Sequence, residues 1–160
     1  MPTATKTKPK KKAESFHNSL RRIGACEDAR EWVGDRTAKQ AWADCERPDW
    51  MLWLLGKVDD SGAGSPTRRK YVAVACECAR LTLDKFEERF PNDNRPRKAI
   101  ELCERYAAGE DISYEDIRRA ADTAESAADT AWRAAYTAGR AINKHACDII
   151  RKHFPKCPKI

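Results

Sequence analysis

Apolar residues recur at helical spacing almost throughout the chain. Cys26, Ala29, Trp32 and Val33 fall three and four residues apart, and Gly34 follows as a stop, which predicts a first helix over about 25–33. Ala38, Ala41, Trp42 and Cys45 predict a second over about 37–45. Pro48 prevents simple continuation, because it disfavours helix at Arg47. From Pro48 to Leu55 nearly every residue is apolar: Trp50, Met51, Leu52, Trp53, Leu54, Leu55. A third helix there, without a polar face, is expected to be central. A buried strand is the competing reading of so short an apolar run, but helical neighbours leave a strand without partners.

Val58 to Ser65 is polar and glycine-rich and predicts a loop. Ser65 is then an N-cap with Pro66 at the first helical position of a fourth helix reaching about Phe90. Its expected inner face steps through Tyr71, Val74, Ala75, Cys78, Leu81, Thr82, Lys85 and Phe86. After a turn at 91–94, a fifth helix runs from Pro96 to Ala108 and stops at Gly109. Ser113 and Asp116 form a capping-box pattern, with Ile112 and Ile117 placed as its staple. From there to Phe154 only Gly139 interrupts helix. One straight helix would be about 60 Å long, against a radius of gyration of about 15 Å for a compact domain of this size. A break is therefore expected near Gly139 or near Asp122 to Ser126. The repeated alanines between Ala120 and Ala138 favour helix and bury little area.

The expected fold is all-α: a single compact bundle of five to seven helices over residues 15–160, with no sheet. Its core would contain Trp42, Trp50, Trp53, Leu54, Val74, Cys78, Leu81, Ile100, Cys103 and Ile117.

Composition changes this picture at one end. Residues 1–14 lack the apolar side chains that offset ordering entropy and predict a disordered tail. The tail carries Lys6, Lys8, Lys10, Lys11 and Lys12. Without these five the chain holds 26 basic against 25 acidic residues, so its net charge of +6 belongs almost entirely to the tail. Nucleic-acid association, if present, would run non-specifically through those lysines; a solubilising tail explains them equally well. Seven cysteines cannot all pair within the chain, and with no export signal visible they are expected to be reduced thiols in a cytoplasmic protein. The longest strongly apolar run has six residues, Trp50 to Leu55, against about 20 for a membrane span.

Two helix starts break the dipole rule. The first turn of a helix is positive and favours acids. Yet Arg68, Arg69 and Lys70 follow Ser65-Pro66, and Arg95, Arg97 and Lys98 flank Pro96. An external phosphate could supply the missing anion. So could internal acids, with Arg97 in reach of Glu101 and with Asp93 or Asp49 available for cross-pairing. Arg47, Asp49, Trp50 and Trp53 form a second constellation, in which Asp49 suits a helix start and the tryptophans suit a core. His145, Cys147, His153 and Cys157 have residue types that suit zinc, but Pro155 disfavours a preformed site, and no metal or other cofactor is expected. No phosphate-binding, nucleophile-elbow or zinc-protease motif occurs.

Two segments carry a family resemblance: Trp42-Ala-Asp-Cys-Glu-Arg-Pro-Asp-Trp-Met-Leu-Trp-Leu-Leu55 and Phe86-Glu-Glu-Arg-Phe-Pro-Asn-Asp-Asn-Arg-Pro-Arg-Lys-Ala-Ile100. Together with an alanine-rich helical end, they resemble the helical, type-five-like immunity-protein family of bacteria and phages, over roughly residues 20 to 150. The resemblance implies a non-enzymatic protein that neutralises a toxin or defence factor by binding it, as one side of a toxin–antitoxin relationship. It carries over Arg47, Asp49, Trp50, Trp53, Asp93, Arg95 and Arg97 as motif positions. The near-neutral body departs from the acidic surface expected of a nuclease inhibitor. The alternative is a phosphorylated small molecule or nucleotide signal held by Arg68, Arg69, Arg95 and Arg97, which requires both helix starts to converge on one aromatic pocket.

Overall fold

The structure, a computed structural model, describes residues 14–120, 122–123 and 139–160. The tail lysines, most of the alanine-rich stretch and residues 124–126 of the expected break lie outside the described residues; 122–123 are helical, and Gly139 abuts the undescribed stretch.

Eight helices and no strand are found among the described residues. They are α1 (Phe16–Arg22), α2 (Glu27–Val33), α3 (Ala38–Asp44), α4 (Pro48–Val58), α5 (Pro66–Arg89), α6 (Arg95–Ala107), α7 over residues 114–120, and α8 (Gly139–His153). The all-α reading holds, with a count one above the expected range. The helix that the sequence reading passed over is α1. Ser15 caps it by accepting from the Asn18 amide, and Phe16, Leu20 and Ile23 sit at i, i+4 and i+7, packed into a core cluster.

The starts and stops follow local chemistry. Ser65 Oγ accepts from the Arg68 amide at 3.0 Å. Thr37 and Gln40 form a full capping box at the start of α3. Gly34 and Gly109, at φ 50° and 105°, follow the ends of α2 and α6, in a conformation that other residues adopt only with strain.

Two apolar clusters share α5. The first joins α1 to α4 with α8 through Leu20, Trp42, Met51, Leu54, Val74 and Ile150. The second joins α5 to α6 and α7 through Val72, Cys76, Leu83, Ile100, Tyr106 and Ile117. The single inner face expected for α5 is therefore corrected to two. Val74 turns to one cluster, while Val72, Cys76 and Leu83 turn to the other. The expected core also changes at its edges. Trp50 and Cys78 are half-buried against the first cluster, Leu81 is half-buried, and Trp53 is exposed.

The end of α8 is fastened to α3 across more than 100 residues of sequence. Arg151 donates to the Trp42 carbonyl at 3.0 Å and also to the Cys45 carbonyl. Trp42 Nε1 donates to the Phe154 carbonyl at 2.9 Å. A cation thus meets the partly negative, otherwise unpaired carbonyls at a helix C-terminus. This sets the floor beneath the candidate site.

Candidate functional site

A cleft of about 510 Å³ opens between α1, α2, α3 and α4. Phe16, Leu20, Val33, Trp42 and Leu54 line its apolar wall, and Arg47, Asp49, Trp50 and Trp53 also line it. Arg47 is held extended, at φ −114° and ψ 92°, by the proline that follows it. Its guanidinium grips Asp49 with two bonds, Nε to Oδ1 at 2.9 Å and a terminal nitrogen to Oδ2 at 2.6 Å. The same guanidinium lies 4.3 Å from the Trp50 ring centroid. Trp50 leans on Trp32, centroids 5.9 Å apart, and Arg36 covers Trp32 at 4.8 Å. The result is a continuous row of contacts through Arg36, Trp32, Trp50 and Arg47, with the two rings tilted at 58° to each other, ended by a carboxylate in the first turn of α4, where the helix dipole favours one.

Protonation suits binding better than covalent chemistry. The hydrogen bond to Asp49 raises the Arg47 pKa further above its ordinary value. Burial pushes the Cys45 thiol up and that of Cys157 to about 11. Both thiols line the cleft, and neither is a ready thiolate nucleophile near neutral pH.

The two arginine-rich helix starts lie apart. α5 and α6 form an antiparallel hairpin, so the start of each lies beside the end of the other. Arg68 Nε meets Asp59 Oδ2 at 2.9 Å, with the carboxylate side chain only 5% exposed. Burial works against the Asp59 charge, but hydrogen bonds from Ser61 and the charge of Arg68 prevail and hold its pKa below the usual value. Arg69 donates to the Tyr106 and Glu110 carbonyls at the end of α6 and lies 4.6 Å from the Tyr106 ring centroid.

At the far end, Arg97 grips Glu87 on the last turns of α5, with both bonds at 2.6 Å. The expected Arg97–Glu101 pair is replaced by this one. Arg95 grips Asp93 at 2.8 and 2.6 Å and holds its pKa down to about 2. Between the ends, Arg80 grips Glu104 at 2.8 and 2.7 Å. Arg69 and Arg97 are answered by the carbonyl end or a carboxylate of the antiparallel neighbour, and Arg68 and Arg95 by an acid in the loop before their own helix. Convergence of Arg68, Arg69, Arg95 and Arg97 on one pocket is not formed.

His145, Cys147, His153 and Cys157, whose residue types suit zinc, are not brought together. Cys147 is fully buried, His145 is exposed, His153 lies 3.2 Å from Glu77, and Cys157 lines the cleft. Among the described residues no group of three or more His, Cys, Asp or Glu side chains could hold a metal ion.

The sequence pattern places Trp32 only as an apolar position of the first helix and does not single out Arg36 or Asp28. Arg36 lies past the Gly34 stop of α2, so helical spacing carried no signal that it would cover Trp32. Asp28 became visible only once the cleft was assembled.

A family model described as Imm-5 like putative immunity protein matches residues 64–153, more than half of the chain. It takes in the Phe86–Ile100 segment and begins after the Trp42–Leu55 segment that borders the cleft. No curated protein and no solved structure matches.

Proposed function

Because the chain belongs to the Imm-5 like immunity-protein family, we propose that it acts by binding another protein, a toxin or defence factor, without transforming it. The supporting observation is the mouth of the cleft. Trp53 is 40% exposed there, on the same cleft as the Trp50–Arg47–Asp49 stack. Tryptophan and arginine are the residue types that carry most binding energy at protein interfaces, especially beside a pocket. The stack is already fixed in the unbound chain, so little side-chain entropy is lost on association.

A phosphorylated ligand shared between two arginine-rich helix starts is the weaker reading. Those arginines lie at opposite ends of the hairpin and already bond carboxylates and carbonyls. No helix among the described residues is long and apolar enough to cross a membrane.

Affinity purification from the native host tests the reading. The wild-type chain is expected to retain one protein partner at stoichiometric amounts. Failure to retain any protein, together with a turnover activity abolished by a point substitution, would reverse it.

A further inference from the structure

The charges around the cleft are unevenly committed. Among the described residues the one base that lines it is engaged, since Arg47 is chelated by Asp49 and lies over Trp50, and nearby Arg36 covers Trp32 and lies 4.0 Å from Asp44. Arg30 on α2 donates to the Cys26 carbonyl of its own helix start. The acids along α2 and just after it are not engaged. Glu27, Asp28, Glu31 and Asp35 are exposed, and none has an ion-pair partner among the described residues. Asp28 itself lines the cleft. Residues 24–55 hold seven acidic against four basic residues, in a chain whose total charge is +6. An apolar cavity thus stands beside a strip of uncompensated carboxylates.

Building on the protein-binding reading above, we propose that the cleft receives a basic segment of the partner. One large apolar side chain enters beside Trp53, and lysine or arginine residues flanking it meet Asp28 and Glu31. A volume of about 510 Å³ accommodates one or two large side chains. The Arg47 charge does not oppose a basic segment, because Asp49 neutralises it at bond distance. Arg36 and Arg47 already lie over Trp32 and Trp50, so incoming cations are directed to the carboxylates. Of the three charged residues that line the cleft, Arg47 and Asp49 are paired with each other, and Asp28 is left with no ion-pair partner among the described residues.

Three end-blocked pentapeptides provide the test against the full-length chain in low salt, about 20 mM, where charge effects are weakly screened. Their sequences are Lys-Lys-Phe-Lys-Lys, Glu-Glu-Phe-Glu-Glu and Lys-Lys-Gly-Lys-Lys. Binding is read from the indole N–H resonances of the tryptophans, with the Trp53 signal assigned by Trp53→Phe. The first peptide is expected to shift the Trp50 and Trp53 signals, and the other two to leave them in place. Trp53→Ala should weaken that binding about tenfold, read at Trp50. Asp28→Asn with Glu31→Gln, both exposed positions, should weaken it about threefold. An equal response to the glutamate or glycine peptide, or unchanged affinity in the double variant, would overturn the assignment. Failure here is separable from failure of protein binding as such. A natural partner retained equally by wild type and Trp53→Ala would sink the cleft alone, whereas a peptide response with no natural protein partner would sink the broader reading alone.

Discussion

The α5–α6 hairpin and the cleft built by α1 to α4 are both rich in arginine, and they use it in opposite ways. In the hairpin, Arg68, Arg69, Arg80 and Arg97 reach an acid or a carbonyl across the loop or the neighbouring helix. Their charges are spent on fixing one helix against the other. At the cleft, Arg36 and Arg47 lie over tryptophan rings, acids of α2 have no ion-pair partner among the described residues, and Trp53 is exposed. The first pattern describes a scaffold and the second a surface prepared for contact. The family match covers the hairpin and starts beyond the cleft. Membership therefore speaks more directly for the scaffold than for the part that would choose a partner.

Substitutions and pH can break this contrast. The largest effect is expected beneath the cleft, where Ile150 is fully buried in the first cluster. Ile150→Ala should cost about 2–5 kcal/mol in denaturant unfolding. A cost under about 1 kcal/mol would mean that α8 is not a firm floor. Next comes Asp59→Ala, which leaves Arg68, 16% exposed, without its carboxylate. A loss of about 3 kcal/mol is expected, and a neutral result would remove the distinction between a committed and an uncommitted base.

Acid should sharpen the comparison. Hydrogen bonds from arginine hold the Glu87, Asp93 and Glu104 pKa values below their ordinary ones. Unfolding therefore takes up protons. The stabilisation is complete above the unfolded pKa values of about 4. It is lost as pH falls through the folded values, which for Asp93 is about 2. Melting temperature should fall below about pH 4.5 on this account. Replacing Glu87 by Gln should flatten that slope. The smallest effect is expected from Trp53→Ala, within about 0.5 kcal/mol as for other surface positions. A cost of several kcal/mol there would return Trp53 to the core and undermine the contact surface.

The comparison also shows where sequence reading carries and where it fails. The ends of α3, α5 and α6 were legible because proline, glycine and the Ser65 hydroxyl act within a few residues of themselves. α1 is equally legible in the i, i+4, i+7 spacing of Phe16, Leu20 and Ile23, which lies just before the first of the predicted helices. Trp53 was assigned to the core since an all-apolar helix has no side that announces itself as outer. Which side is outer depends on where α1, α2, α3 and α8 stop covering it.

Sequence by itself determined an all-helical chain, the punctuation between helices and the presence of arginines that no local acid explains. Those properties rest on dihedral preferences and on neighbours within one or two turns. Tertiary structure decided that Glu87 rather than Glu101 answers Arg97, that α5 has two buried faces, and that Trp32 joins Trp50 in one stack. Each of those outcomes depends on the distance between segments far apart in the chain. A charge or a ring cannot select its partner until packing has brought the candidates within a few ångströms.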